Sequence, residues 1–196
     1  MLTKQKNLMF LLIVVNLSFT QTNPAITSWI QNHDGETGRH YVSGNPTPII
    51  DNVLANVQSV DYSNNWVFVS ATGIPAYITG PFLDNNPSIA SDQDAIYKIS
   101  LNPSQNLGLP TNTTGGNIGI FINGVSLFDY RDGVAWDNNN DRLCGGPGNP
   151  PCNGGPGAVQ DWNRDAIPAE MGGFDCNKAH PAMGNYHHHQ NPSAFN

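Results

Sequence analysis

Four of the chain's six histidines fall within ten residues of one another: His180, and the consecutive His187, His188 and His189. Imidazole is the commonest metal ligand among side chains, and its ordinary pKa lies close to neutrality. Read as a strand, residues 186 to 190 put successive side chains on opposite faces. His187 and His189 then share one face, and Tyr186 and His188 the other. Two imidazoles at that spacing stand about 7 Å apart at Cβ, which lets both rings converge on one ion. The turn Pro181-Ala182-Met183-Gly184 can bring back His180 as a third ligand. Three imidazoles with an open position describe a catalytic zinc centre, and tetragonal nitrogen and oxygen ligation suits copper(II). Cys176 is a possible further donor, and its thiolate would favour zinc or copper(I). Glu170 and Asp175 are the candidate catalytic groups, as general bases or as carboxylates that orient a ligating ring. Two other uses of the same residues stand beside metal binding. One is a structural hydrogen-bonded motif built on Tyr186 and the histidines, and the other is a metal-free acid–base site.

The remaining motifs say less. Asp137-Asn138-Asn139-Asn140-Asp141-Arg142 begins like a calcium loop, with Asp137, Asn139 and Asp141 as ligands. Arg142 stands where the sharp turn needs glycine and no glutamate follows at the twelfth position, so a solvated acidic loop is expected instead of a calcium site. Asn112-Thr113-Thr114 is an N-glycosylation acceptor if the host glycosylates. Trp66, Trp136 and Trp162 could stack on sugars, although core packing is the commoner use of tryptophan in a β domain. There is no G-x-S-x-G, no H-E-x-x-H and no phosphate loop.

The first twenty residues have the form of a secretory signal peptide. Lys4 and Lys6 precede the apolar run Leu8 to Val15, and Ser18 and Thr20 are small residues ahead of a cut before Gln21. No later stretch is long and apolar enough for an integral membrane segment. The mature chain is therefore expected to be secreted, periplasmic or held at the cell surface. The formal net charge of −7 becomes more negative when the two leader lysines are lost. With no basic patch or run, nucleic acid and anionic membranes are not expected partners. A metal ion, an extracellular polymer or a cell-surface protein remains. In an exported chain cysteines pair, and Cys144 and Cys152, which flank a short Gly/Pro loop, are the disulfide candidate. Three cysteines are an odd number, so Cys176 lacks a partner within the chain.

These residues need elements to hold them. Charged residues make up only 12%, and Gly, Pro and Asn are plentiful, which favours strands and turns over long helices. Residues 21–52 read as a partly irregular N-terminal segment with a short strand over Arg39 to Ser43. Val53 to Val60 and Trp66 to Ala71 form a hairpin about Ser63-Asn64-Asn65. Gly73 to Pro81 reads as an edge strand, since proline cannot donate to a ladder. Ala95 to Leu101 alternates, with Tyr97, Ile99 and Leu101 on one face. Ile118, Ile120 and Ile122 line one face of another strand, and Asn123-Gly124 predicts a type I′ turn back through Val125 to Phe128. Asp129 to Gly157 reads as one long loop, and residues 165 to 171 allow a single helical turn. The fold class is mostly β: a sandwich or open barrel of short antiparallel strands with long Gly/Pro/Asn-rich loops.

Several segments together resemble the YHYH-domain family. They are Ala71 to Tyr77 with Gly80-Pro81-Phe82, Ile118 to Val125, Asp161 to Ala166, Phe174 to Pro181, and Gly184 to Pro192 with Tyr186-His187-His188-His189 at its centre. The resemblance runs over residues 53–196. His188 stands where the family has its second tyrosine, a position that faces away from the proposed ligand pair. The family's domain continues into further β segments, so the chain is expected to be a fragment or a short variant. The resemblance implies an extracytoplasmic β domain and carries no reaction with it, leaving a metal-dependent extracellular hydrolase and a non-catalytic adhesion module as alternatives to metal handling.

Overall fold

A computed structural model of the chain describes residues 22–84, 88–112, 115–154, 160 and 162–195. The signal peptide read over residues 1–20, and Thr113-Thr114 of the glycosylation motif, lie outside them. The chain opens with a one-turn helix, α1 (Pro24–Thr27), and then runs through β1 (Thr37–His40), β2 (Ile49–Leu54), β3 (Val57–Tyr62), β4 (Trp66–Ala71), β5 (Ile78–Thr79) and β6 (Ala95–Ser100). The second half carries β7 (Asn117–Ile120), β8 (Ser126–Phe128), β9 (Arg131–Asp137), β10 (Arg142–Cys144), β11 (Asn163–Asp165), α2 (Ala166–Glu170), β12 (Ala179–Ala182) and β13 (Asn185–His188).

Among the described residues the strands form four small sheets, ordered β2-β1-β5, β3-β4-β6, β12-β13-β8-β7 and β10-β9-β11. The fold is mostly β and sandwich-like, with no closed barrel among the described residues. Pairing is antiparallel except at β1–β5 and β13–β8. Two apolar clusters fill the interior. In one, Val57, Val67, Val69 and Ala71 take on Tyr97, Ile99 and Leu101 from β6 and its end, and Ile120 from β7. In the other, Ile74, Ala90, Val125, Ala179 and Tyr186 meet Val53, Tyr77 and Phe82. The second cluster supports the histidine strand from below.

The β3–β4 hairpin and the alternation of β6 follow the sequence pattern. β5 pairs only with β1 and is an edge strand, flanked by Pro75 and Pro81. In the N-terminal segment, Trp29 donates its indole N–H to the Ala25 carbonyl at 2.7 Å and packs on the first cluster. Three expectations fail. Ile118 is 49% exposed, so the three isoleucines do not share one buried face, because the β7–β8 ladder is bulged between Asn117 and Gly119. At Asn123-Gly124 only the glycine has a positive φ, +82°, and Gly124 N–H donates to the Phe121 carbonyl at 2.8 Å. That is a turn closed by one left-handed residue, not the type I′ form.

The third failure is the long loop, which contains a hairpin. β9 pairs with β10 and with β11, and the turn between β9 and β10 is the acidic segment once compared with a calcium loop. There Asp137 acts as a cap: its carboxylate accepts from Asn139 N–H at 3.0 Å and from Asn140 Nδ2 at 2.7 Å. A Cys144–Cys152 disulfide closes the far end.

Candidate metal centre

The hairpin β12–β13 is the platform of the site. Its loop is Met183-Gly184, with φ of +50° and +86°, which makes this the two-residue type I′ turn. A Cβ on Gly184 would run into the Ser91 hydroxyl, so glycine is required there for space as well as for φ. The turn fixes the register: His180 lies opposite His187, and Pro181 opposite Tyr186. On its other side β13 runs parallel to β8, with His187 beside Ser126 and His188 beside Leu127.

Strand alternation then sorts four consecutive side chains into two groups. His187 and His189 turn to one side, where His180 and Glu170 meet them. One donor atom from each of these four residues lies within 4.8 Å of all the others, so the group could hold a metal ion. The ring centroids of His180 and His187 are 4.7 Å apart, and those of His187 and His189 are 5.0 Å apart. Phe128 stacks on His187 at 3.9 Å, and Phe174 meets His180 edge-on at 5.0 Å, giving the donors apolar walls.

Backbone carbonyls set the rings. His187 Nδ1 donates to the Asn185 carbonyl at 2.9 Å, and His189 Nδ1 donates to the Asp129 carbonyl at 2.6 Å. Each contact commits Nδ1 as the donor and leaves Nε2 as a potential ligand, the arrangement usual for ligating histidines. Glu170, the last residue of α2, approaches from another element. Asp165 caps α2 by accepting from Ile167 N–H at 2.9 Å, and Ala166 N–H donates to the Tyr130 carbonyl at 2.7 Å, which fastens the helix to the β9 side. Glu170 Oε2 then sits 2.9 Å from His180 Nε2 and 3.4 Å from His189 Nε2. Glu170 Oε2 and both ring nitrogens of His180 are nevertheless buried without an aligned hydrogen bond. A carboxylate oxygen facing two imidazole nitrogens without an aligned hydrogen bond to either is well suited to a cation between the donors.

The electrostatics fit the same picture. Burial alone would raise the Glu170 pKa, but the neighbouring His180 and His189 outweigh it and hold the carboxyl at about 2. Burial lowers His187 to about 3, keeping it neutral and able to ligate. For His189 burial acts downward, but Glu170 and the Asp129 carbonyl prevail and raise it.

The other face of β13 is a buried hydrogen-bond network. Tyr186 is fully buried and donates its hydroxyl to Asp175 Oδ2 at 2.8 Å. His188 donates Nδ1–H to the Lys178 carbonyl at 3.1 Å, and its Nε2 meets the Tyr77 hydroxyl at 3.0 Å. Burial lowers His188 to about 4. Asp175 also accepts from Gly80 N–H and Asn177 N–H, both at 2.9 Å. Burial raises its pKa against those hydrogen bonds.

Of the residues singled out from the sequence, His180, His187, His189 and Glu170 come together. Asp175 does not join them: it lies on the Tyr186 side and serves as the anchor of the turn before β12. Cys176 is on that turn, and because Asp175 and Asn177 point inward, its thiol is exposed and outside the donor group. Tyr77 was missed, being 111 residues from the histidine it contacts. Phe128, Phe174 and the Asp129 carbonyl were missed too, and a backbone acceptor leaves no mark on a sequence.

Residues 96–196 match the family model described as YHYH protein, a span shorter than the resemblance read from residue 53 onward. No curated protein and no solved structure matches the chain.

Proposed function

The chain belongs to the YHYH protein family, and from that premise we propose that it is an exported domain binding a zinc(II) or copper(II) ion through His180, His187, His189 and Glu170. One observation carries the reading: Glu170 Oε2 and His180 Nε2 are buried 2.9 Å apart with neither hydrogen-bonded, inside a set of four convergent donors. Three imidazoles and one carboxylate form a borderline donor set without thiolate, which suits these two ions better than copper(I). With Glu170 as fourth ligand the shell is closed, as in structural or ion-handling sites. With Glu170 held back as a base, a position opens for water and hydrolysis. The closed form is favoured because Glu170 is as near to His180 as a shared ion requires. Export rests on the leader-like first twenty residues and on the Cys144–Cys152 bridge, which persists in oxidising compartments.

The test is elemental analysis of the mature protein and of a His187→Ala/His189→Ala variant loaded under identical conditions. Affinity should fall at least about tenfold in the variant, the scale of losses seen when mere supports of a ligand are removed. Equal metal content at limiting ion would sink the site. A second reading draws on the short distances from Glu170 to His180 and His189, which allow a charged histidine to hold the cluster without an ion. In that case the domain is an adhesion module for an extracellular polymer or surface protein, and material purified without chelator would contain no metal. Hydrolase activity restored to chelated protein by one particular ion would instead support the open form.

A further inference from the structure

The sheet β3-β4-β6 packs one face on the core and turns the other to solvent. Val67, Val69 and Ala71 of β4 are buried, and Trp66, Phe68 and Ser70 alternate with them on the outer face. On β6 the outer neighbours of these three are Ser100, Lys98 and Ile96, and on β3 Asp61 lies opposite Phe68. Trp66 is 38% exposed and Ile96 71%. Lys98 Nζ lies over one face of the Trp66 ring, 4.2 Å from its centroid, which orients the indole and leaves a sugar only the face that Lys98 does not cover. Past Ser70 the face opens into a cleft of about 300 Å³, whose polar lining includes Asn52, Gln58, Asp92 and Asp94. Among the described residues, no lysine or arginine lines it.

We infer that this outer face binds a neutral polysaccharide laid along β4, with one pyranose against Trp66 and a terminal or branching sugar in the cleft. Sugars present apolar C–H faces, which an oriented indole covers, and hydroxyls, which need donors and acceptors together. The Asp92 and Asp94 carboxylates accept, and the Asn52 amide does both. Six residues of β4 span about 20 Å, room for several pyranose units. The charge decides against other polymers. Asp61, Asp92 and Asp94 outnumber Lys98, which is already engaged with Trp66, so nucleic acid and uronic-acid chains are repelled. An apolar protein partner would strip water from those carboxylates without replacing it. None of these residues belongs to the histidine group, so the inference stands apart from the metal reading.

The experiment is isothermal titration of the mature protein with cellohexaose, laminarihexaose, maltohexaose and chitohexaose at millimolar concentration, with hexagalacturonate as the anionic comparison. At least one neutral hexasaccharide should bind, Trp66→Ala should weaken it at least about tenfold, and the His187→Ala/His189→Ala variant should bind as the parent does. Asn52→Ala, on the exposed edge strand β2, should weaken it about threefold or more and carries the test if Trp66→Ala fails to fold. Absence of binding by all four neutral sugars, binding by hexagalacturonate alone, or parental affinity in both folded variants would overturn the inference.

Discussion

Tyr186, His187, His188 and His189 occupy one stretch of backbone yet do two kinds of work, and substitutions should separate them. His188→Gln removes a ring from the buried network beneath the platform and leaves the donor group untouched. We expect a loss of about 1–3 kcal/mol in urea unfolding with parental metal content. Glu170→Gln replaces the one anionic donor with a neutral amide, and should weaken metal binding at least about tenfold; because it also removes the carboxylate that faces His180 and His189, it should lower the stability of metal-free protein at neutral pH as well. Acid separates them too. Burial lowers His187 to about 3 and His188 to about 4, from 6.5. Below pH 6.5 the unfolded chain therefore binds protons that the folded chain refuses. The stability these rings confer is complete above 6.5 and is lost as pH falls towards about 4 for His188 and about 3 for His187. The Glu170 carboxyl, held at about 2 against an ordinary 4.5, contributes fully above 4.5 and loses its contribution only as pH falls from there towards about 2. Thermal melts of metal-free protein between pH 7 and 4 should show the decline, and His188→Gln should flatten it. An equal slope in both proteins would mean that His188 is not buried as described.

At the level of elements, the β12–β13 turn decides whether His180 faces His187. Met183 is 99% exposed and holds a φ of +50°, which costs a side chain of its kind about 1–2 kcal/mol. Asparagine tolerates that conformation, so Met183→Asn should stabilise the protein by about 0.5–1 kcal/mol in chemical denaturation without changing metal affinity. The sequence pattern made this hairpin legible through the alternation of its histidines and the Met183-Gly184 return, and it made β4 and β6 legible through alternating apolar residues. It concealed β9 and β10. Their short apolar stretch, Val134-Ala135-Trp136, is flanked by Gly, Asn and Asp, and composition outweighed period. It also concealed which carboxylate joins the histidines. Asp175 is nearer to His180 in sequence, but the turn from 175 to 178 points it to the opposite side, and Glu170 arrives on a helix that packs against another sheet.

For the whole molecule, the donor group ties α2 and the β9–β11 side to the β12–β13 hairpin, two regions that Asp129 also joins through its hold on His189. An ion bound there acts as a cross-link. Loading at a hundred times the dissociation constant should add about 2.7 kcal/mol to stability, seen as a higher unfolding midpoint that His187→Ala/His189→Ala abolishes. Among the described residues no helix is long and apolar enough to cross a membrane. The parallel pairing of β13 with β8 has a further consequence for tolerance to change. A single residue inserted between Ser126 and Phe128, or between Tyr186 and His189, would slip the ladder at the centre of the sheet and exchange inside for outside along the strand that carries it. Tyr186 would be thrust among the donors and imidazoles pressed into the apolar interior, so one added codon would abolish ion capture and folding together, where most point changes would cost only one of them.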